Sequence, residues 1–123
     1  MHPLFDTKEN LGSSARCVKL YLYSLGNPQY LSEYEQALKF LESYSGSDDT
    51  FNSYRRETER FLQWAWIFEQ KPIKALDRSD LTNYLNFCSA PPSEWLATKK
   101  VSKFIQKCSE RVPNTEWRPF LIS

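Results

Sequence analysis

The chain has 123 residues, a length that fits one domain, and its 41 % hydrophobic and 15 % aromatic content can supply a packed core. Its 16 basic and 15 acidic residues leave a net charge of +1, which argues against a general polyanion binder, so any electrostatic contact must come from local clustering. No apolar run approaches the roughly 18 residues that span a bilayer, and no signal peptide is visible, so we expect a cytoplasmic protein with no membrane partner.

Residues 1–27 form an N-terminal extension whose structure the pattern leaves open. The stretch "VKLYLYSL" (18–25) fits a strand and a helix about equally well, and "GNP" then breaks the chain. A helical domain over residues 28–112 begins with a predicted helix from about Gln29 to Tyr44. Spacings of three and four define the apolar face of this helix, which consists of Leu31, Tyr34, Leu38 and Leu41.

A second helix is predicted over residues 50–70, "TFNSYRRETERFLQWAWIFEQ", with Thr50 as its N-cap. Its apolar arc consists of Phe51, Tyr54, Thr58, Phe61, Leu62, Ala65 and Phe68. Its opposite, polar arc consists of Asn52, Arg56, Arg60 and Gln63. Trp64 and Trp66 flank the apolar arc, and "KP" closes the helix because a residue before proline is disfavoured in helical geometry.

A third predicted helix runs from about Asp77 to Ser89, where Asp77 and Asp80 have the spacing of a capping box. Its apolar stripe consists of Leu81, Tyr84, Leu85 and Cys88. A fourth predicted helix covers residues 93–112, and its basic side consists of Lys99, Lys100, Lys103 and Lys107. We therefore expect an all-α protein, a compact orthogonal bundle of about four helices, with a C-terminal tail at residues 113–123.

The polar face of the second helix has two interpretations. It is a solvated surface if its charges pair internally, because Arg55 and Arg56 are each within helical reach of Glu59, and Glu57 of Arg60. The lysine side of the fourth helix is equally typical of a solvated surface.

In the second interpretation these faces contact DNA. Arg56 and Arg60 point outward on one stripe, and Asn52 and Gln63 extend it with side chains of the kind that read base edges in the major groove. The four lysines would then engage phosphates, and two basic helices together would present a positive surface.

Catalytic chemistry is not indicated. Three scattered cysteines and the single histidine, His2, do not form a disulfide framework, a zinc site or a histidine-based dyad. The sequence contains no Gly-rich phosphate loop and no GxSxG motif. We therefore expect no cofactor, no metal, no small-molecule substrate and no enzymatic activity in this chain.

Several of these stretches together resemble a known family. "TFNSYRRETERFLQWAW", "KPIKALDRSDLTNYLNF" and "PPSEW" follow in the order seen in the N-terminal SAM-like, core-binding domain of tyrosine recombinases, the phage-type integrases. The preceding "ALKFLESY" is similar to the first helix of that domain, and "WRPF" to a segment before its last helix. The matching positions are Thr50, Tyr54, Glu59, Arg60, Phe61, Leu62, Trp64, Asp80, Leu81, Tyr84 and Phe87.

The resemblance implies a DNA-binding domain that positions duplex DNA for strand exchange in integration or recombination, with other recombinase protomers as partners. Cutting and rejoining would belong to a separate catalytic domain, whose motifs are not matched in this chain. Residues 113–123 would lead to a missing last helix and to that domain, and the missing helix would leave an apolar face open.

A different class of function fits the same sequence. A helical protein–protein interaction module without nucleic-acid binding is favoured by the balanced charge and by four tryptophans, a residue type enriched at interfaces. A free-standing helix-turn-helix regulator fits less well, because no short glycine-containing turn joins two compact helices.

Overall fold

The computed structural model describes residues 1–122 and is largely helical, with two small sheets. The α-helices are α1 (Ala15–Ser24), α2 (Pro28–Ser43), α3 (Asp48–Gln63) and α4 (Arg78–Ser89). The strands are β1 (Leu96–Ala97), β2 (Phe104–Lys107), β3 (Glu110–Pro113) and β4 (Phe120–Leu121). Short 3-10 turns lie at Lys8–Asn10, Ile73–Ala75 and Ser93–Trp95, and a π-helical turn at Trp64–Phe68. The prediction of a helical class is confirmed at that level, whereas the strands depart from an all-α bundle.

The helix starts follow from local capping chemistry. At α2 the side chain of Asn27 accepts a hydrogen bond from the Gln29 amide at 3.0 Å, and Pro28 occupies the first turn. At α3 the cap is Ser47, whose hydroxyl oxygen accepts from the Thr50 amide at 3.2 Å. The prediction of Thr50 as the cap is therefore wrong by three residues.

The predicted start of α4 is confirmed. Asp77 accepts from the Asp80 amide at 2.9 Å, while the Asp80 carboxylate accepts from the Asp77 amide at 3.0 Å, which completes a capping box. Lys71 also reaches that carboxylate, at 3.1 Å and 3.2 Å. Asp80 thereby ties the entry of α4 to the exit of the preceding helix.

The far end of α3 changes geometry and with it the identity of the core residues. In the π turn, the Glu69 amide donates to the carbonyl of Trp64 at 2.9 Å, five residues earlier. A wider turn changes the direction of the residues that follow it. Trp64 and Trp66 lie in the core rather than flanking it. Phe68, predicted in the core, is 50 % exposed instead.

Residues 1–27, here called the N-terminal segment, contribute side chains to the core. Leu4, Phe5 and Leu11 are buried, and the ambiguous stretch folds as α1, which buries Val18 and Leu22 against α2. The stacked rings of Phe5 and Tyr34, 5.5 Å apart, join this segment to α2.

The helix predicted over residues 93–112 is wrong. After β1 the chain runs as a loop, and β2 and β3 then form an antiparallel hairpin in which Phe104 lies opposite Pro113 and Ile105 opposite Val112. Only Phe104 of β2 is buried. The predicted tail also differs, because β4 pairs in parallel with β1 and so folds back onto the domain.

Among residues 1–122, no helix is long and apolar enough to cross a membrane. The apolar face predicted for α4 is only partly buried: Leu81 and Leu85 are 49 % and 67 % exposed, while Phe87 packs in the core. One side of α4 is therefore uncovered in this chain.

Candidate nucleic-acid interface

A basic groove of about 800 Å³ runs between the outer face of α3 and the C-terminal part of the chain. Its eight cationic residues are Arg55, Arg56, Arg60, Lys99, Lys100, Lys103, Arg111 and Arg118. Its three acidic residues are Asp6, Glu57 and Glu59. A chain of net charge +1 therefore concentrates positive charge in one concave surface.

Six of the eight predicted DNA-contact residues line this groove: Asn52, Arg56, Arg60, Lys99, Lys100 and Lys103. The prediction that Gln63 faces outward is wrong, because its side chain is 2 % exposed and donates to the carbonyl of His2 at 2.9 Å. The N-terminal segment thus covers that end of α3. Lys107 is exposed on β2 of the hairpin and does not line the groove.

Glu59 is a buried carboxylate at the base of the groove. It accepts hydrogen bonds from the amides of Leu4 and Phe5, and it forms an ion pair with Lys103. Glu59 therefore does not form the ion pairs with Arg55 or Arg56 that the solvated-surface interpretation allowed, since α3 turns this carboxylate inward. Glu59 instead joins α3 to the N-terminal segment and to the loop before β2.

Lys103 is largely buried and paired with Glu59, whereas the sequence predicted an exposed lysine. Its side chain is 15 % exposed, donates to the Phe5 carbonyl at 3.3 Å and lies 5.1 Å from the ring centre of Trp117. Burial, and to a smaller extent repulsion from Arg55, lowers the pKa of Lys103, while Asp6 opposes that shift.

A second buried pair holds the hairpin. The guanidinium of Arg111 donates to both carboxylate oxygens of Asp6, at 2.8 Å and 2.9 Å, in the two-point geometry that favours arginine. Asp6 is 1 % exposed, and its hydrogen bond raises the pKa of Arg111. The lining residues between 97 and 121 form one side of the groove, here called the C-terminal wall. Two buried carboxylates, Asp6 and Glu59, thus position this wall.

Arg56 and Arg60 share Glu57 but have different roles. Arg60 donates to the Pro119 carbonyl at 2.9 Å, stacks 4.4 Å from the ring centre of Phe120 and keeps 22 % of its side chain exposed. Arg56 contacts Glu57 at 3.2 Å and is 54 % exposed. Arg60 therefore braces β4, whereas Arg56 is free to turn toward a ligand.

The remaining cations carry the surplus charge. Within residues 1–122, Arg55, Lys99, Lys100 and Arg118 form no ion pair with a carboxylate. Among the described residues, Arg118 donates to the carbonyls of Thr115 and Trp117 and to no other group, at 2.7 Å and 2.8 Å. Each acidic residue of the groove already has a basic partner, so these four cations are available to an outside anion.

The sequence prediction omitted Arg55, Arg111 and Arg118 from the contact residues. A signal for Arg55 was present, since it follows Asn52 by three residues and precedes Glu59 by four, which places all three on one helix face. Arg111 and Arg118 reach the groove because β2 pairs with β3 and β4 pairs with β1. No local sequence pattern predicts these strand pairings.

Within residues 1–122, no group of three or more histidine, cysteine, aspartate or glutamate side chains could hold a metal ion. Comparison with protein-family models, curated proteins and solved structures finds no match for this chain.

Proposed function

We propose that this chain binds duplex DNA through the basic groove and acts as the core-binding domain of a tyrosine recombinase, positioning DNA for integration or recombination. Under this proposal the chain itself has no catalytic role. The observation that carries the proposal is the gathering of eight cationic and three acidic residues in one groove of a nearly neutral protein. Phosphate neutralisation by such clusters supplies most of the affinity of a protein for nucleic acid.

The SAM-like fold is part of the same proposal. Three consecutive helices, α2, α3 and α4, contain in order the stretches that resemble core-binding domains. The partly exposed leucine side of α4 is compatible with contact to a further helix or to another protomer of an assembled recombinase.

The groove favours contact with the DNA backbone over insertion of α3 along the major groove. Pro119, Phe120 and the N-terminal segment cover much of the C-terminal half of α3, and of the four contacts predicted on this helix only Asn52 and Arg56 are well exposed. Backbone contacts position a protein without reading sequence. We therefore expect modest affinity that falls steeply with salt.

A titration of labelled duplex DNA at two salt concentrations tests this function. The double substitution Lys99→Ala/Lys100→Ala should weaken binding severalfold and reduce its salt dependence, because each lost phosphate contact releases about one counterion fewer. The matched control is Lys19→Ala/Lys39→Ala, which removes two exposed lysines outside the groove. Absence of duplex binding at low salt, or equal losses in both double variants, would count against the proposal.

The second candidate function is a helical protein-interaction module without nucleic-acid binding. The tryptophans no longer favour it, because Trp64, Trp66 and Trp95 are 5 % exposed or less and belong to the core. The exposed leucines of α4, Leu81 and Leu85, favour it instead. This candidate would be favoured over the first by three results together. The chain self-associates, Leu85→Ser abolishes that association, and neither protein binds duplex DNA.

A further inference from the structure

The inner part of the basic groove holds a cluster of five charged side chains, which we name the inner cluster: Asp6, Arg55, Glu59, Lys103 and Arg111. Both carboxylates are 1 % exposed, and the side chains of Lys103 and Arg111 are 15 % and 16 % exposed. Three cations therefore face two anions in a place with little access to water. Charges removed from water are normally paired.

Arg55 is the member without a partner. Glu59 is committed to Lys103, and Asp6 to Arg111, in the two ion pairs described above. Arg55 forms no ion pair within residues 1–122, and its Nε is buried without an acceptor. Asp6 and Glu9 are near enough to act on Arg55 electrostatically, but neither forms an ion pair with it.

The burial of Arg55 makes the lack of an acceptor unfavourable. Burial lowers the pKa of Arg55, and Arg55 in turn repels the neighbouring ammonium of Lys103. A buried donor without an acceptor also carries a desolvation penalty. The inner cluster is thus short of one negative charge, at the wall where the groove is open to a ligand.

We infer that one phosphate group of a bound ligand completes the inner cluster by binding the guanidinium of Arg55. This inference rests on the proposed function, in which the phosphate is a phosphodiester of the DNA backbone. The two Nη atoms of Arg55 are not among the buried unpaired atoms and make no hydrogen bond to the described residues, so they keep some exposure on a residue that lines the groove. The planar fork of arginine matches the oxygens of a phosphate.

The exposed pair Lys99 and Lys100 lines the same groove and serves neighbouring phosphates of the same backbone. A lysine acts on phosphate as a mobile point charge, whereas arginine fixes its orientation. Arg55 therefore sets the register of the strand along the groove, and the lysines add affinity.

Thermal unfolding in inorganic phosphate, compared with chloride at the same ionic strength, tests the subsite without DNA. Wild-type protein should gain melting temperature with rising phosphate, because a ligand that binds only the folded state stabilises it. Arg55→Gln should lose this gain. The control Arg16→Gln, at an exposed arginine of α1 outside the groove, should keep it.

Duplex titration separates this inference from the proposed function. Arg55→Gln should weaken duplex binding about tenfold, the loss expected for a hydrogen-bonded charge contact, whereas the control Arg16→Gln should leave it unchanged. If wild type and Arg55→Gln bind the duplex equally, the subsite is wrong and the proposed function stands. If phosphate stabilises wild type through Arg55 but no duplex binds, the subsite stands and the proposed function is wrong.

A second variant covers the case in which Arg55→Gln does not fold. Arg55→Lys keeps the charge and removes the planar fork, so it should retain part of the phosphate response. A phosphate response in Arg55→Lys equal to that of wild type would overturn the role assigned to the guanidinium, as would loss of the response in Arg16→Gln.

Discussion

Glu59 shows how one residue can decide the shape of a site. Its carboxylate is contacted by the backbone of Leu4 and Phe5 and by the ammonium of Lys103, three groups that lie far from it in sequence. An amphipathic pattern assigns a glutamate between arginines to the surface. The structure places it inside because these three donors replace the water that a carboxylate loses on burial.

We predict that Glu59→Gln lowers the free energy of unfolding by about 3 kcal/mol, because a buried lysine is then left without its carboxylate. Glutamine still offers an oxygen to the two amides, so the loss reports mainly the charge. Urea denaturation measures it. The control is Glu57→Gln, at a side chain that is 59 % exposed and whose ion pairs contribute little.

The same variant has a predictable dependence on pH. A lysine whose pKa in the folded state is lowered binds fewer protons than in the unfolded state, so stability rises with pH up to the unfolded pKa of roughly 10.4. Burial lowers the pKa of Lys103, and removing Glu59 lowers it further. Stability should therefore rise more steeply between pH 7 and about 10 in Glu59→Gln than in wild type; parallel profiles would contradict this account.

Arg60 stabilises β4 through its contacts with Pro119 and Phe120, whereas the neighbouring Arg56 is exposed. We predict that Arg60→Ala lowers the free energy of unfolding by about 1 to 2 kcal/mol, because the hydrogen bond to Pro119 and the contact with Phe120 are both lost. Arg56→Ala should change stability by less than about 0.5 kcal/mol, as expected for an exposed position. Equal effects of the two substitutions in urea denaturation would show that β4 does not depend on Arg60.

At the scale of elements, the sequence determines the helices well and the hairpin poorly. α2, α3 and α4 were predictable because their periodicity and caps are local, and α4 even begins at the predicted capping box. The hairpin was not, since lysines at every fourth residue also fit a helix. What favours the hairpin is the pairing of Lys103 and Arg111 with distant Glu59 and Asp6, and no window of sequence contains both partners.

The turn of the hairpin contains a residue poorly suited to it. Of the two turn residues, Cys108 has a φ of 54°, a left-handed conformation that costs a residue with a Cβ about 1 kcal/mol. We predict that Cys108→Gly raises the free energy of unfolding by roughly 0.5 to 1 kcal/mol, because glycine is favoured at such a position of a two-residue hairpin. Denaturation of Cys108→Ser, which keeps the Cβ, should match wild type, and Ser109→Gly should not stabilise.

At the scale of the whole molecule, the hairpin has no core of its own and depends on the helical part. Phe104 is the one buried residue of β2, and the ion pairs to Asp6 and Glu59 supply its other buried contacts. The groove likewise combines the N-terminal segment, α3 and the C-terminal wall. For this reason the sequence predicted six of the groove residues but not the long-range contacts that bring them together.

We therefore predict that hairpin and helices unfold in one transition. A fluorophore on exposed Cys108, in a Cys17→Ser/Cys88→Ser background, should report the same urea midpoint as far-ultraviolet circular dichroism, the expected behaviour of a two-state domain. In Glu59→Gln the fluorophore transition should move to lower urea than the helical one. A separate, earlier fluorophore transition in the background protein itself would show that the hairpin is an independent unit.

The inward position of Glu59 has a consequence for the way the chain is made. On the ribosome, α3 emerges well before Lys103 and Arg111, so the growing polypeptide holds two acidic groups whose counterions have not yet been synthesised. Contacts between such distant positions close late and slowly. Until translation passes Arg111, the partly synthesised chain should keep the segment around Leu4, Phe5 and Asp6 loose and open to proteases.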